Sequence, residues 1–319
     1  LLVTDITADE SVIPVVRARD LSGQTVPDNL SDLTPNDHAL IDYTSGTTGN
    51  PKGVLLGHSQ LIANARVHEK MHTLSADDIT MLVMPLHHLN PQGVSLLSTI
   101  YTGGTVIIPD GFRLRDFASL ICRYSCTWVA LVPAMIEQLL AYLEKSDQQD
   151  WELNELRFVR CSSAPLSATA QKKFEQRLTV PVIQAMGSTE AGATFFSNPL
   201  PPEERKAGSV GLPVGFKARV VNENGDALAH NEVGAIQVLG NTLMLSYYQN
   251  EEASNQMFSD DGWLFTGDAG YCDDDGYYFI SGRRAELVNR GGEKILLSEV
   301  DSILLDHLQV LEAAAVAVP

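Results

Sequence analysis

Hydroxyl groups, glycines and one lysine are concentrated in the segment Tyr43–Gly53, whose sequence is YTSGTTGNPKG. Glycines allow backbone N–H groups to approach phosphate oxygens closely, hydroxyls add donors, and Lys52 adds a mobile positive charge. The pattern differs from a Walker loop, because Pro51 precedes Lys52 and neither Ser nor Thr follows it. We therefore predict a polyphosphate-binding loop and favour it over an ordinary surface loop. The expected contacts are Thr44, Ser45, Gly46, Thr47, Thr48, Gly49 and Lys52.

The residues from Ala39 to Gln184 alternate between short β-rich runs and amphipathic stretches. This alternation predicts βαβ units and a mainly parallel sheet. The predicted strands are Ile79–Met84, Thr105–Ile108, Thr127–Val132, Arg157–Arg160 and Val182–Gln184, with helix-like segments at Leu114–Tyr124 and Ala134–Glu144.

From Gly208 onward the pattern changes. Two turn sequences, Asn224–Gly225 and Asp273–Gly276, lie between alternating runs and predict antiparallel hairpins. After Gly282 a new unit is expected, with a helix start at Ser298–Asp301 and a final strand over Ala313–Val318.

Composition limits the possible partners. The 319 residues contain 22 Lys and Arg against 40 Asp and Glu, a formal net charge of -18, which disfavours nucleic acid and anionic membranes. No apolar run approaches the roughly 20 residues that cross a bilayer, and acidic residues near the start argue against a signal peptide. The four cysteines lack the spacing of a zinc site and are too few for a disulfide scaffold. A cytoplasmic location fits best.

The segment Tyr43–Gly53 resembles the phosphate-binding signature of the adenylate-forming superfamily, which includes acyl-CoA synthetases, adenylation domains of peptide synthetases and firefly luciferase. Three further segments agree in order and spacing, namely Cys161–Leu166 (CSSAPL), Ala185–Glu190 (AMGSTE) and Gly262–Asp268 (GWLFTGD). The resemblance covers about Leu40 to Pro319. It implies an α/β fold with a large domain of βαβ subdomains, a small antiparallel β-rich subdomain and the start of an α+β lid domain.

The resemblance also implies roles for individual residues. Thr189 meets the α-phosphate, Glu190 holds Mg²⁺, Asp268 binds the ribose hydroxyls and Arg283 adds a second ribose contact. A hydroxyl, a metal-binding carboxylate and a cation are the groups that an acyl-phosphate transition state requires. Taken alone, Glu190 would be an ordinary surface acid and Asp268 a turn former. The other implied nucleotide contacts are Ser163, Ala164, Pro165, Ala185, Met186, Gly187, Ser188 and Ile280.

Met186 departs from the family pattern, which places an aromatic residue there to stack on adenine. Methionine can cover a purine through its polarizable sulfur, so we expect weaker stacking.

The segment Met84–Asn90 (MPLHHLN) resembles the acyl-CoA synthetase segment that ends in a histidine beside the acyl pocket. This histidine corresponds to His88, a candidate catalytic residue, whereas His87 is as readily a core histidine. The Asn90–Gly93 turn is expected to border the pocket. Amino-acid-activating relatives have an aspartate just after this segment, so its absence favours a plain carboxylic acid. Asn289 stands where luciferase has a lysine, which argues against light emission.

The strongest likeness is to oxalate–CoA ligases and related bacterial synthetases, through Ser197–Pro202, Lys206–Gly211 and Glu286–Lys294. Those ligases carry a second histidine where Asn90 stands, which leaves an acid of different size or charge open.

The resemblance predicts a large adenylation domain over residues 1–284 and the beginning of a lid domain over 285–319, with a hinge at Ala285. Relatives continue on both sides, so the sequence is expected to be truncated at both ends and to lack the lid lysine. The expected activity is ATP-dependent formation of an acyl-adenylate, followed by acyl transfer to a thiol, preferably CoA. Loading of a carrier-protein phosphopantetheine and a non-catalytic nucleotide-binding module are the alternatives.

Overall fold

The structure is a computed structural model that describes residues 2–3, 15–16, 33–44, 51–145, 151, 153–284, 287–290, 293–297, 300, 303–304, 310 and 313–316. The chain divides into two compact units, Leu1–Asp37 and His38–Pro319. In the first unit, β1 (Leu2–Val3) pairs in parallel with β2 (Val15–Val16). The predicted domain boundary near residue 285 stays a prediction.

The second unit contains the remaining strands and the helices. The strands are β3 (His38–Thr44), β4 (Lys52–Gly57), β5 (Ile79–Met81), β6 (Thr105–Ile107), β7 (Trp128–Leu131), β8 (Phe158–Cys161), β9 (Val182–Ser188), β10 (Ala193–Ser197), β11 (Leu212–Pro213), β12 (Phe216–Val221), β13 (Gly234–Gly240), β14 (Ser246–Tyr247), β15 (Leu264–Cys272), β16 (Tyr278–Arg283), β17 (Leu287–Arg290) and β18 (Glu293–Leu296). The helices are α1 (His58–His72), a π-helix (Asn90–Leu97), α2 (Ser98–Tyr101), α3 (Phe117–Tyr124), α4 (Pro133–Lys145), α5 (Ala168–Leu178) and α6 (Glu251–Gln256). None of the described helices has the length and apolarity needed to cross a bilayer.

The main sheet has seven strands in the order β11-β10-β9-β8-β7-β5-β6. Strands β5 to β9 pair with one another in parallel, whereas β10 pairs in an antiparallel manner with both β9 and β11. Helices α3, α4 and α5 lie between successive strands, which confirms the predicted βαβ alternation. The first predicted strand ends early, at Met81, because the chain leaves the sheet there while Leu82–Met84 stay buried.

A separate four-stranded antiparallel sheet follows, in the order β12-β13-β15-β16. The predicted turn at Asp273–Gly276 joins β15 to β16 directly. The turn at Asn224–Gly225 instead folds Ala227 back onto Val221 in an isolated bridge, before β13 begins. Strands β3, β4 and β14 form a third sheet, and β17 pairs with β18.

Two predicted elements differ from the structure. Asn90–Gly93 forms the start of the π-helix and is not a turn. Pro91 is tolerated near this start, because the first N–H groups of a helix have no partner within the helix. Residues 313–316 form no strand. The predicted helix start at Ser298–Asp301 lies mostly outside the described residues.

Two hydrophobic clusters hold the second unit together. One surrounds the parallel sheet and includes Trp128 and Phe158, whose stacked rings lie 5.7 Å apart. The other lies under the antiparallel sheet and includes Phe196 and Tyr278, with centroids 4.3 Å apart. Each sheet therefore has its own core, as expected when a sheet must bury one apolar face.

Helix α1 carries two fully buried histidines on one face, His68 and His72. Burial, with the positive charge of Arg160 adding to it, lowers the pKa of His68 to about 3. Burial likewise lowers the pKa of His72, whose ring packs 4.9 Å from that of Phe158. Both imidazoles are therefore neutral in the folded protein at neutral pH.

We expect acid to destabilise the fold through these groups. An unfolded histidine binds a proton near pH 6.5, whereas His68 in the folded state does so only near 3. Stability is therefore full above about pH 6.5 and falls with falling pH by about 1.4 kcal/mol per unit for each such group. Urea unfolding between pH 7 and 5 should show that the free energy of unfolding of His68→Gln depends less steeply on pH than that of the wild type. His38→Gln, which replaces an exposed imidazole, is the control, and an unchanged slope in His68→Gln would contradict the assignment.

Candidate active site

A cavity of about 450 Å³ opens at the carboxyl ends of β5, β7, β8 and β9. In parallel sheets this edge is where side chains from successive loops converge and where ligands bind. The segments after these four strands supply its walls, together with Arg160 near the end of β8 and Thr194 from β10. The lining residues are Met84, Pro85, His88, Leu89, Asn90, Pro91, Val132, Met135, Arg160, Ser162, Ser163, Gly187, Ser188, Thr189 and Thr194.

His88 lies at the mouth of the cavity, beside His87. Both side chains are exposed, and their ring centroids lie 4.2 Å apart. A core position, which the sequence left open for His87, is therefore wrong. The carboxyl of Asp42 lies close enough to feel both imidazoles, but burial dominates and raises its pKa. His88 can thus meet a ligand, whereas His87 does not line the cavity.

Asn90 ties the π-helix to the turn after β8. Its Nδ2 donates to the hydroxyls of Ser162 and Ser163, each at 3.0 Å. Ser163 has a φ of +76°, in the left-handed region that is costly for most residues. The amide of Asn90 supports this conformation from across the cavity. Asn90 and Ser163 both line the cavity, and their predicted roles beside the acid and the nucleotide stay predictions.

Arg160 was not predicted from the sequence as a site residue. It is 2% exposed, and its Nη1 donates to Ser162 Oγ at 2.6 Å and to Asn90 Oδ1 at 3.2 Å. Its Nη2 donates to Thr194 Oγ1 at 2.6 Å. The only signal in the sequence is a charged residue inside a run that otherwise reads as a buried strand, and charged residues are seldom fully buried without a partner.

The end of β9 brings Gly187, Ser188 and Thr189 to the cavity. Met186 does not line it, and its side chain is partly buried against the cluster under the antiparallel sheet. Ala185 is 4% exposed and pairs with Ser197 of β10. Of this predicted motif, the middle residues Gly187–Thr189 therefore line the cavity, whereas Ala185 and Met186 pack within the sheet and its core.

Gly192 fixes the turn that follows Glu190. It has a φ of +74°, and a Cβ at this position would lie 2.2 Å from the carbonyl oxygen of Thr242. Its own carbonyl accepts a hydrogen bond from the amide of Asn64. Only glycine fits so close a backbone approach.

Glu190 lies outside the lining of the cavity and binds Tyr247 of β14. The Tyr247 hydroxyl donates to Glu190 Oε1 at 2.8 Å, and burial together with this carboxylate raises the pKa of Tyr247. Lys52 lies with its Nζ 5.1 Å from the centre of the same ring, a cation–π distance. Glu190 and Lys52, which the sequence predicted as separate contacts, thus share one aromatic neighbour.

The predicted phosphate loop connects the paired strands β3 and β4, with Thr44 opposite Lys52. This geometry differs from a Walker loop, which joins a strand to a helix. The predicted contacts Ser45, Gly46, Thr47, Thr48 and Gly49 lie outside the described residues.

Asp268 and Arg283 lie opposite each other on β15 and β16. Arg283 Nη1 is 3.1 Å from Asp268 Oδ1, and the aspartate side chain is 8% exposed against 59% for the arginine. Ile280 of β16 is partly buried in the same sheet. These three residues, together with Ala164 and Pro165, are not among those that line the cavity.

The fold and this arrangement define a ligand-binding α/β protein with an accessory antiparallel sheet. A family model described as AMP-binding enzyme matches residues 4–248, and the chain belongs to this family. The chain is 42% identical to a sulfoacetate–CoA ligase of Cupriavidus necator over 89% of its own length and 55% of the relative's. It is 37% identical to an oxalate–CoA ligase of Arabidopsis thaliana over 92% of the chain and 58% of that protein. The chain thus spans little more than half the length of these curated relatives.

Solved structures agree with the fold. ATP-bound MatB from Rhodopseudomonas palustris superimposes with a TM-score of 0.82 at 31% identity, over 89% of this chain and 55% of that one. An o-succinylbenzoate CoA synthetase from Bacillus subtilis, in complex with its acyl-adenylate intermediate, gives a TM-score of 0.82 at 27% identity, over 96% and 62%. The predicted fold class and family are confirmed.

We expect Tyr247→Phe to weaken the junction between β14 and the turn at Glu190. The variant leaves a partly buried carboxylate without its hydroxyl donor, at a cost of about 1 kcal/mol. Urea unfolding would measure this loss. Tyr248→Phe removes an exposed neighbouring hydroxyl and should change little, and equal effects of the two substitutions would show that the Tyr247 bond contributes nothing.

Proposed function

We propose that this protein activates a carboxylic acid with ATP, forming an acyl-adenylate and pyrophosphate, and then transfers the acyl group to the thiol of CoA. One observation carries the proposal: segments after four parallel strands meet in a single cavity, in a chain of the AMP-binding family. A plain nucleotide-binding module would not need the polar wall that His88, Asn90 and Ser162 add beside the end of β9.

The acid carboxylate is proposed to lie between His88 and Thr189. Both residues line the cavity, and Thr189 offers a hydroxyl at the end of β9. His88 lies at the exposed mouth, where it can orient a carboxylate as it approaches the nucleotide. The volume of about 450 Å³ suits a small acid together with part of the nucleotide.

The nucleotide is proposed to extend from the cavity toward Asp268. The buried carboxylate of Asp268, next to exposed Arg283, offers acceptors for two ribose hydroxyls. Ser163–Pro165 and Ala185–Ser188 are proposed to border the adenine. The Thr44–Lys52 loop and the charge of Lys52 are assigned to the β- and γ-phosphates.

Glu190 is the residue proposed to hold Mg²⁺. Among the described residues, no group of three or more His, Cys, Asp or Glu side chains could hold a metal ion by itself. Mg²⁺ commonly uses one or two carboxylates plus substrate phosphates, and Glu190, with Oε1 accepting from Tyr247, fits that use. When bound, the ion neutralises charge on the phosphates. Tyr247 would fix the direction of the carboxylate.

The proposed chemistry balances in two steps. A carboxylate oxygen attacks the α-phosphorus of ATP, the bond from that phosphorus to the bridging oxygen breaks, and pyrophosphate leaves. The CoA sulfur then attacks the acyl carbon, the bond from that carbon to the AMP oxygen breaks, and AMP leaves while solvent takes the thiol proton. Thr189 would donate to the α-phosphate as negative charge gathers there.

CoA is the proposed acceptor because the relatives described above are named as CoA ligases, for sulfoacetate and for oxalate. A carrier-protein phosphopantetheine presents the same thiol and is the second candidate. The cytosol is the proposed compartment, since it keeps thiols reduced.

Exchange of labelled pyrophosphate into ATP tests the adenylation step. The protein should catalyse exchange only when a suitable carboxylic acid is present, and Thr189→Val should reduce the rate by about 10²-fold, as loss of one preorganised donor does. Thr179→Val, remote from the cavity, is the matched control. Nucleotide binding without exchange, across a broad panel of acids, would replace this proposal with a non-catalytic nucleotide-binding module.

Calorimetry tests the nucleotide position separately. Asp268→Ala should weaken AMP binding roughly tenfold to a hundredfold, because a carboxylate that pairs with ribose hydroxyls is worth about 1–3 kcal/mol. Asp260→Ala removes an exposed carboxylate near the same strand and should bind AMP as the wild type does. If Asp268→Ala bound AMP with the same affinity as the wild type, the assignment of Asp268 to the ribose would be wrong.

A further inference from the structure

The guanidinium of Arg160 is a buried charge in the cavity wall that the described residues leave without a carboxylate. Its contacts there are two hydroxyls and one amide oxygen, all neutral. No described acid pairs with it, and none of the described residues that line the cavity is acidic. Removing an ion from water costs several kcal/mol unless an opposite charge or a full set of hydrogen bonds compensates.

The hydrogen bonds of Arg160 do not form a full set. A guanidinium has five N–H donors, and three bonds are made through Nη1 and Nη2. Its Nε is shielded from solvent and has no partner within the described part of the chain. Burial lowers the pKa of Arg160 to about 10, so the group still carries its charge at neutral pH.

A chain of neutral groups holds the guanidinium at this position. Thr194 Oγ1 accepts from Arg160 and lies 3.0 Å from His68 Nε2, while His68 Nδ1 lies 2.9 Å from the carbonyl oxygen of Asn64. The carbonyl can only accept, so Nδ1 carries the proton and Nε2 accepts from Thr194. His68 stays neutral because burial lowers its pKa to about 3. These hydrogen-bonded groups therefore position Arg160 without neutralising its charge.

We infer that Arg160 is a specificity-determining residue that binds a second anionic group on the acid, so that the substrate is a small dianion such as a dicarboxylate or a sulfo-carboxylate. This inference rests on the proposed function, since it places the reacting carboxylate near His88 and Thr189. Arg160 lines the cavity, so its positive charge can meet the distal group there. A monoanionic acid of equal length would leave the buried guanidinium without a counter-ion.

Paired acids of matched length test this inference in the exchange assay. Malonate and propionate differ in one terminal group, as do succinate and butyrate. The wild type should favour the dianion of the better pair by about 10²-fold in kcat/KM. Arg160→Met should remove that preference by raising the KM for the dianion, while the monoanion changes less than about threefold. Arg160→Lys, which keeps the charge but loses the planar fork, should fall between.

A merely structural Arg160 gives a different result. Loss of a structural residue would lower kcat/KM for dianion and monoanion alike and leave their ratio unchanged, which would overturn the inference. Arg115→Gln removes an exposed arginine remote from the cavity and should leave the ratio as in the wild type. If Arg160→Met does not fold, the wild-type protein alone provides the test. A kcat/KM for the dianion that is equal to or below that for the monoanion, in both acid pairs, would contradict the inference.

Binding separates this inference from the proposed function. Calorimetric titration of malonate into the protein in the presence of AMP should give heat in the wild type and much weaker binding in Arg160→Met. This result would uphold the anion site even if no acid supported exchange. Exchange with monoanions alone, together with no malonate binding, would uphold adenylation and reject the anion site.

Discussion

The buried positive charge of Arg160, which no carboxylate of the described residues pairs with, constrains the whole cavity. Arg160 comes from the interior strand β8 and is 2% exposed, so its guanidinium is held in the cavity wall with little contact with solvent. The guanidinium donates hydrogen bonds to neutral acceptors from three other segments, namely Asn90, Ser162 and Thr194. Each of these groups is itself held by further hydrogen bonds, which extend the constraint into α1 through His68. A bound anionic ligand would supply the counter-ion that the described residues do not give Arg160.

The parallel sheet and the antiparallel sheet contribute different residues to the proposed site. The parallel sheet gathers its loops at one edge, and the cavity that results carries the groups suited to an acid and an α-phosphate. The antiparallel sheet presents the ion pair of Asp268 and Arg283 on neighbouring strands, at a hairpin register that fixes their separation. Strand β14 connects two further predicted site residues, because Tyr247 contacts both Glu190 and Lys52.

The sequence predicted what depends on local pattern. Periodicity and turn residues were enough for the βαβ alternation and for the β15–β16 hairpin, and the motif residues His88, Ser163 and Thr189 do meet in one cavity. The network around Arg160 was beyond such reasoning, since it joins residues as far apart as His68 and Thr194, 126 positions distant. Met186 shows the same limit, because strand pairing rather than motif decides that its side chain packs against the second core.

A crystal structure with a non-hydrolysable acyl-adenylate analogue that carries a malonyl arm would show whether Arg160 binds the distal anion. We expect the adenosine ribose to contact Asp268 and the distal carboxylate to lie within about 3 Å of a nitrogen of Arg160, a charge-assisted hydrogen-bond distance. A malonyl arm directed to solvent, with Arg160 still bound only to Asn90, Ser162 and Thr194, would contradict it.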